Sequence, residues 1–245
     1  FEGGALMATV GPPGRFGCNL TEYSCESVSG TIGPAVSRLE VISPDARNAA
    51  FIRDHNLWVR DLGTGDESAL TTNGAEDFGY GTNNAGWTRS DRPILKWSPD
   101  SRKIATFRHN ARGVGMMYLV NTQVGHPQLE AWRYPLPEDS VIFRITRVVL
   151  DLDRPAGDRV VSLAIPPDQH RSTCSDHIAC GGTFGDVEWS ADSEHIVFVS
   201  STRDHKSAAV RIADASTGAV TELFEEVEET FYESNGWDFL SSSNE

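Results

Sequence analysis

Short apolar runs alternate with polar turn clusters along this chain, and one such stretch of about thirty residues recurs. It is clearest at Ser43-Pro44-Asp45, followed by the apolar run Ala49-Ala50-Phe51-Ile52, then Asn56-Leu57-Trp58-Val59-Arg60-Asp61-Leu62, then Thr64-Gly65 and Leu70-Thr71. Pro44 fixes φ at about −65° and Asp45 bonds its own backbone, so the apolar strand that follows starts at a defined point. The second strand alternates. Leu57, Val59 and Asp61 fall on one face and Trp58, Arg60 and Leu62 on the other, while Gly63-Thr64-Gly65 supplies the backbone freedom for the next reversal.

The same order returns at Leu95-Lys96-Trp97-Ser98-Pro99-Asp100 with Lys103-Ile104-Ala105-Thr106-Phe107, and at Val187-Glu188-Trp189-Ser190-Ala191-Asp192 with His195-Ile196-Val197-Phe198-Val199. A fourth copy begins at Trp237-Asp238-Phe239-Leu240-Ser241. Serine-to-serine spacings of 55 (43 to 98), 92 (98 to 190) and 51 (190 to 241) suit one four-stranded blade per unit with an enlarged second unit. After Met116-Met117-Tyr118-Leu119-Val120, residues 121–140 are polar and proline-rich. Ile145 to Asp151 and Val160 to Ile165 then read as the two outer strands of that blade. Blades of this kind bury their faces against neighbours, so the fold expected is all-β, a β-propeller. About three complete units and the start of another fit, against the roughly four to eight of closed rings, so the chain reads as a partial propeller from a larger ring. Residues 1–40 are glycine-rich and read as loop or an incomplete first blade; residues 41–245 carry the blades, with the enlarged unit at 98–165.

Composition narrows the partners. A net charge of −14 argues against nucleic acid, because phosphate binding needs clustered lysine and arginine. No run approaches the roughly 20 apolar residues of a membrane helix, and the first residues carry no signal-peptide pattern. The densest acidity, Glu222, Glu225, Glu226, Glu228, Glu229 and Glu233, fits a charged blade edge that discourages edge pairing, or a site for an amine or calcium. Four cysteines form two close pairs, Cys18 with Cys25 and Cys174 with Cys180. Each pair suits a local disulfide in an oxidising compartment and free thiols in a reducing one. His170 precedes the second pair and His177 lies between its cysteines, but the spacing departs from that of structural zinc sites, so no metal is assigned.

Catalytic patterns are absent from the sequence. There is no Gly-x-Ser-x-Gly elbow, no His-Glu-x-x-His and no phosphate-binding glycine loop, so no catalytic residue and no cofactor is assigned.

The run from Ser43 to Thr71, and especially Trp97 to Phe107 together with Glu130-Ala131-Trp132-Arg133-Tyr134-Pro135-Leu136-Pro137, resembles the N-terminal propeller of dipeptidyl peptidase IV-like serine peptidases of the prolyl oligopeptidase family. The resemblance covers about residues 38 to 245. It implies a two-part enzyme in which the propeller limits access of short peptides to a C-terminal α/β-hydrolase domain that carries the catalytic triad. In dipeptidyl peptidase IV a glutamate pair following an Asp-Trp-x-Tyr segment holds the substrate's free amine. The corresponding stretch here is Asp77-Phe78-Gly79-Tyr80-Gly81-Thr82-Asn83-Asn84, without the glutamates. Thr82, Asn83 and Asn84 are therefore the candidate substrate-binding residues, and they offer neutral bonds where carboxylates would offer charge-assisted ones. Trp132 and Tyr134 are placed to pack on the hydrolase domain, on a second subunit as a homodimer, or on the blade's own face. Exported relatives and paired cysteines together point to the periplasm or secretion, with the cytoplasm open. The second functional class is a stand-alone TolB-like propeller that binds a partner protein.

Overall fold

A computed structural model of the chain describes residues 5–9, 15–19, 21–27, 36–82, 90–122, 124–169 and 184–231. All of its elements are β-strands, in two compact units, 1–35 and 36–245. Among the described residues no helix is long and apolar enough to cross a membrane.

The first unit is a three-stranded antiparallel meander of β1 (Ala5–Thr9), β2 (Arg15–Asn19) and β3 (Ser24–Ser27). Asn19 Oδ1 accepts the Thr21 and Glu22 N–H groups at 2.9 and 3.2 Å, which closes the β2–β3 turn. Cys18 lies directly across from Cys25, and the two form a disulfide. Cys174 and Cys180 lie outside the described residues, as does the fourth copy of the repeat at Trp237.

The second unit contains three successive antiparallel sheets, an arc of a β-propeller. The first blade is β4 (Val41–Ile42), β5 (Asn48–Arg53), β6 (Asn56–Asp61) and β7 (Glu67–Ala69), paired in chain order. The second is built on β10 (Lys103–Asn110), which pairs β8 (Phe78–Tyr80) and β9 (Lys96–Trp97) on one side. On its other side runs β13 (Arg144–Asp151), edged by β14 (Val160–Ser162) and β15 (Asp168–Gln169). The third is β16 (Val187–Trp189), β17 (His195–Ser201), β18 (Ser207–Asp214) and β19 (Val220–Val227), again in chain order.

Within the enlarged unit, Met116 to Val120 do not join the blade. They form β11 (Met116–Asn121), which pairs only with β12 (Gln128–Arg133), so the polar 121–140 segment holds a strand of its own. The pair is a two-stranded arm inserted between β10 and β13. Its side chains are mostly exposed, so its alternation carries little hydrophobic signal, and only Trp132 is buried.

The middle blade is buried on both faces, which is why its strands read as nearly continuous apolar runs. Ile104, Val148 and Leu150 face the first blade and pack with Ala50, Leu57, Val59 and Trp97. Ala105, Phe107, Ile145 and Val149 face the third and pack with Val187, Trp189, Ile196 and Phe198.

The Ser-Pro-Asp repeat proves to be a fastener both within and between blades. Ser43 Oγ donates to Asp45 at 2.6 Å and accepts the Asn48 N–H at 3.0 Å. Ser98 with Asp100 and Lys103, and Ser190 with Asp192 and His195, repeat that geometry. The residue three beyond each serine, Ala46, Ser101 or Ser193, is left-handed, with φ of 59°, 64° and 63°. The Asp45 N–H donates to Ser101 Oγ of the next blade at 3.0 Å, and the Asp100 N–H to Ser193 Oγ at 3.2 Å. Trp97 Nε1 donates to the Val41 carbonyl and Trp189 Nε1 to that of Lys96, both at 3.1 Å. Each signature tryptophan thus reaches back to the same position of the preceding blade. Beyond β18, the late glutamates Glu222 to Glu229 lie on or just past the exposed outer strand β19.

Candidate functional site

The β5–β6 reversal puts Asp54 and His55 at its tip, both left-handed with φ of 48° and 63°. A two-residue turn of that hand matches the twist of the strands it joins. Its neighbours hold it in place. The Tyr80 N–H donates to the His55 carbonyl at 2.9 Å, and Gly74 lies so close that a Cβ there would sit 2.2 Å from that oxygen. Gly79 likewise leaves room for Thr82 Cγ2, which a Cβ would meet at 2.7 Å. Thr82 is consequently buried, 5% exposed, and its hydroxyl has no hydrogen-bond partner among the described residues.

Thr82 and His55 form a wall shared by two clefts. One, of about 540 Å³, is lined further by Leu39, Arg53, Asp54, Ser90 and Asp91. The other, of about 420 Å³, is lined by Glu76, Asp77, Phe78, Gly79, Met116 and Arg133. Of the three residues nominated from sequence, Thr82 thus lies at the clefts, and Asn83 and Asn84 fall outside the described residues.

The arm reaches the second cleft through Arg133. Its Nε donates to Asp77 Oδ2 at 2.7 Å and its Nη1 to the Val114 carbonyl at 2.6 Å. The Asp77 backbone carbonyl accepts from Ala111 at 2.8 Å, so the residue entering β8 ties both strands leading to the arm. The hydrogen bond to the Asp77 carboxylate raises the Arg133 pKa above its ordinary value, outweighing partial desolvation. At the base of the arm, Arg203 Nη2 donates to the Pro135 and Leu136 carbonyls at 3.1 and 2.8 Å. Trp132 is buried within the chain at 7% exposed, so it covers the chain's own surface, whereas Tyr134 is 46% exposed.

Sequence reading missed His55 and Arg133 as cleft residues. A signal for the first existed, since Asp54-His55 separates two apolar runs as a two-residue hairpin turn does. Arg133 pairs with a residue 56 positions away, and nothing local to either marks the pair.

Among the described residues no group of three or more His, Cys, Asp or Glu is placed to hold a metal ion. The side chains at the clefts are suited to binding: carboxylates at Asp54, Asp91 and Glu76, an imidazole at His55, and the hydroxyl of Thr82.

Successive antiparallel blades fastened by a repeated serine–aspartate turn, with an arm inserted beside a cleft, define a β-propeller domain. The family model of the dipeptidyl peptidase IV N-terminal region matches residues 18–245, and the chain belongs to that family. Curated relatives include proteins assigned as dipeptidyl-aminopeptidase B in Aspergillus fumigatus, 28% identical over 115 residues, and in Aspergillus oryzae, 26% identical over 113. Those matches cover 41% and 40% of this chain and 12% of each relative. Two solved structures share the fold: a Bacteroides ovatus protein assigned as a dipeptidyl aminopeptidase IV, and dipeptidyl peptidase 4 of Porphyromonas gingivalis. The first has a TM-score of 0.58 at 17% identity, covering 94% of this chain and 29% of that one. The second has a TM-score of 0.58 at 14% identity, covering 92% and 31%. The chain therefore spans less than a third of the solved proteins it resembles.

Proposed function

We propose that this chain is the non-catalytic propeller of a serine exopeptidase or oligopeptidase, limiting the access of short peptides to a C-terminal α/β-hydrolase domain. The observation that carries the reading is the pair of clefts meeting at Thr82, in a chain of this family, at the position where the amine-holding glutamates of dipeptidyl peptidase IV would stand. Thr82 offers a neutral hydroxyl there, and Asn83 and Asn84, next in the sequence, are the other candidate substrate-binding residues. The charge-assisted anchor for a peptide amine comes from the cleft walls, where Asp54, Asp91 and Glu76 supply carboxylates. This chain contributes no bond-breaking residue in that scheme.

The exposed apolar side chains of the arm, Tyr118, Val120 and Leu129, support a homodimer contact through β11 and β12. The Cys18–Cys25 bridge supports the periplasm or secretion, where such a bond persists.

The test is hydrolysis of chromogenic dipeptidyl substrates and of longer peptides, by this chain alone and by the full-length protein that contains it. The chain alone is inert, and the full-length protein cleaves short peptides with sensitivity to a serine-directed inhibitor. Inhibitor-sensitive cleavage by the chain alone, or none by the full-length protein, overturns the reading.

A further inference from the structure

We infer that Phe78, Arg108 and Arg112 form a carboxylate-binding site on the open end of the middle blade. Arg108 lies across from Tyr80 in the β10–β8 register and Asn110 across from Phe78, so these side chains share one face of the sheet. The Arg108 guanidinium carbon sits 4.2 Å from the Phe78 ring centroid and that of Arg112 only 3.7 Å. The two cations are therefore no further apart than the sum of those distances.

Ordinary ion pairing does not account for the arrangement. In a chain of net charge −14, most buried or half-buried arginines have found a carboxylate, as Arg60 with Glu40, Arg133 with Asp77 and Arg147 with Asp186. Arg108 and Arg112 have none among the described residues. Asp77, which adjoins Phe78 and whose carbonyl accepts the Ala111 N–H, is committed to Arg133. Arg108 Nε is moreover shielded from solvent and has no hydrogen-bond partner among the described residues. A buried donor without an acceptor is uncommon in folded proteins and calls for a bound water or ion.

What the pair lacks is an anion, and the geometry selects its type. Stacking on an aromatic face fixes the plane of a guanidinium while leaving its edge free, and that edge matches the two oxygens of a planar carboxylate. Asn110 accepts the Arg112 Nε–H at 2.9 Å, which orients the second guanidinium and keeps its terminal nitrogens available. Phe78 itself lines the cleft beside Thr82, so a carboxylate held here sits at the edge of that cleft. The inference is independent of the peptidase reading, because a small carboxylate with no peptide character suffices to test it.

The probes are succinate, a free-acid tripeptide and the C-terminal amide of the same tripeptide, titrated calorimetrically into the full chain at low salt. Succinate and the free acid bind saturably, the amide binds at least about tenfold more weakly, and Arg112→Gln lowers affinity for both acids about tenfold. Arg112 is exposed, so its replacement leaves the fold intact, and Arg112→Lys keeps the charge but loses the fork, retaining only part of the affinity. Saturation by succinate but not by the tripeptide restricts the site to small acids and sustains the inference. Equal binding of acid and amide, no saturable succinate binding, or an Arg112→Gln variant that binds as the parent does, overturns it.

Discussion

Replacing Arg147 by methionine removes a buried cation that joins the middle and third blades. Arg147 lies on β13 with its side chain 3% exposed, donating from Nε to Asp168 at 2.7 Å and from Nη2 to Asp186 at 2.6 Å. Nη2 also donates to the Val199 carbonyl at 2.9 Å, and the guanidinium carbon lies 4.7 Å from the Phe198 ring centroid. Burial alone would depress the Arg147 pKa, but the charges of Asp186 and Asp168 outweigh it and raise the pKa further above its ordinary value. The group therefore stays charged at any accessible pH. Methionine keeps the apolar contact with Phe198 and strands two carboxylates that are 11% and 4% exposed. Breaking a buried pair from one side costs about 3–5 kcal/mol, because the remaining charge is left uncompensated. With a urea slope of about 2–3 kcal/mol per molar for a unit of this size, the midpoint falls by roughly 1–2.5 M. The assay is equilibrium urea unfolding at neutral pH, read by tryptophan fluorescence, for the parent, Arg147→Met, and the triple variant that adds Asp168→Asn and Asp186→Asn. The triple variant recovers part of the loss. A midpoint within about 0.3 M of the parent for Arg147→Met refutes the reasoning about magnitude. A triple variant less stable than the single one refutes the assignment of the loss to stranded charge.

Two further outcomes follow from the blade junctions and turns. Gly218 has a φ of 75°, and a Cβ there would lie 2.3 Å from the Ser162 carbonyl of the neighbouring blade. Gly218→Ala therefore destabilises by more than about 1 kcal/mol, read as a lowered thermal midpoint, whereas Gly157→Ala, which meets nothing within 4 Å, serves as the silent control. The turn aspartates set the acid limit of the fold. Hydrogen bonds from Ser43, Ser190, Thr202 and Ser216 hold the carboxyl groups of Asp45, Asp192, Asp204 and Asp214 respectively below the ordinary aspartate pKa. A carboxyl group depressed in the folded state adds stability that is fully present above its unfolded pKa and is lost as pH falls through the folded one, so stability declines below about pH 4. Ser216→Ala flattens that decline, and an unchanged acid limb in urea titrations at pH 2 to 5 contradicts the assignment.

The repeat was legible because each blade needs the same turn. Ser-Pro-Asp announces itself by proline and aspartate at fixed offsets, and the strands on either side carry a strong apolar signal. The junctions between blades were not legible, although their residues were in plain view. Trp97 and Trp189 belong to the repeat, but their indole nitrogens find carbonyls 56 and 93 residues away, at positions whose side chains are irrelevant to the bond. Arg147 sits in a strand read correctly as part of the blade, while Asp168 and Asp186, which define its role, come from an edge strand and a loop 21 and 39 residues on.

The arm shows the same limit from the other side. Its strand β12 escaped notice because exposed strands alternate weakly, yet it delivers Arg133 to Asp77 and so fixes one wall of the cleft at Thr82. Thr82 was nominated by its place after Asp77-Phe78-Gly79-Tyr80, and it lies in the wall shared by the two clefts. What that place could not convey is the source of the negative charge around it. In the fold the carboxylates come from Asp54 on the first blade's turn, from Asp91 in the stretch before β9 and from Glu76 before β8. An acidic surrounding assembled from three segments is invisible to any single motif. The clefts therefore carry carboxylates although the segment from Asp77 to Asn84 contains no glutamate.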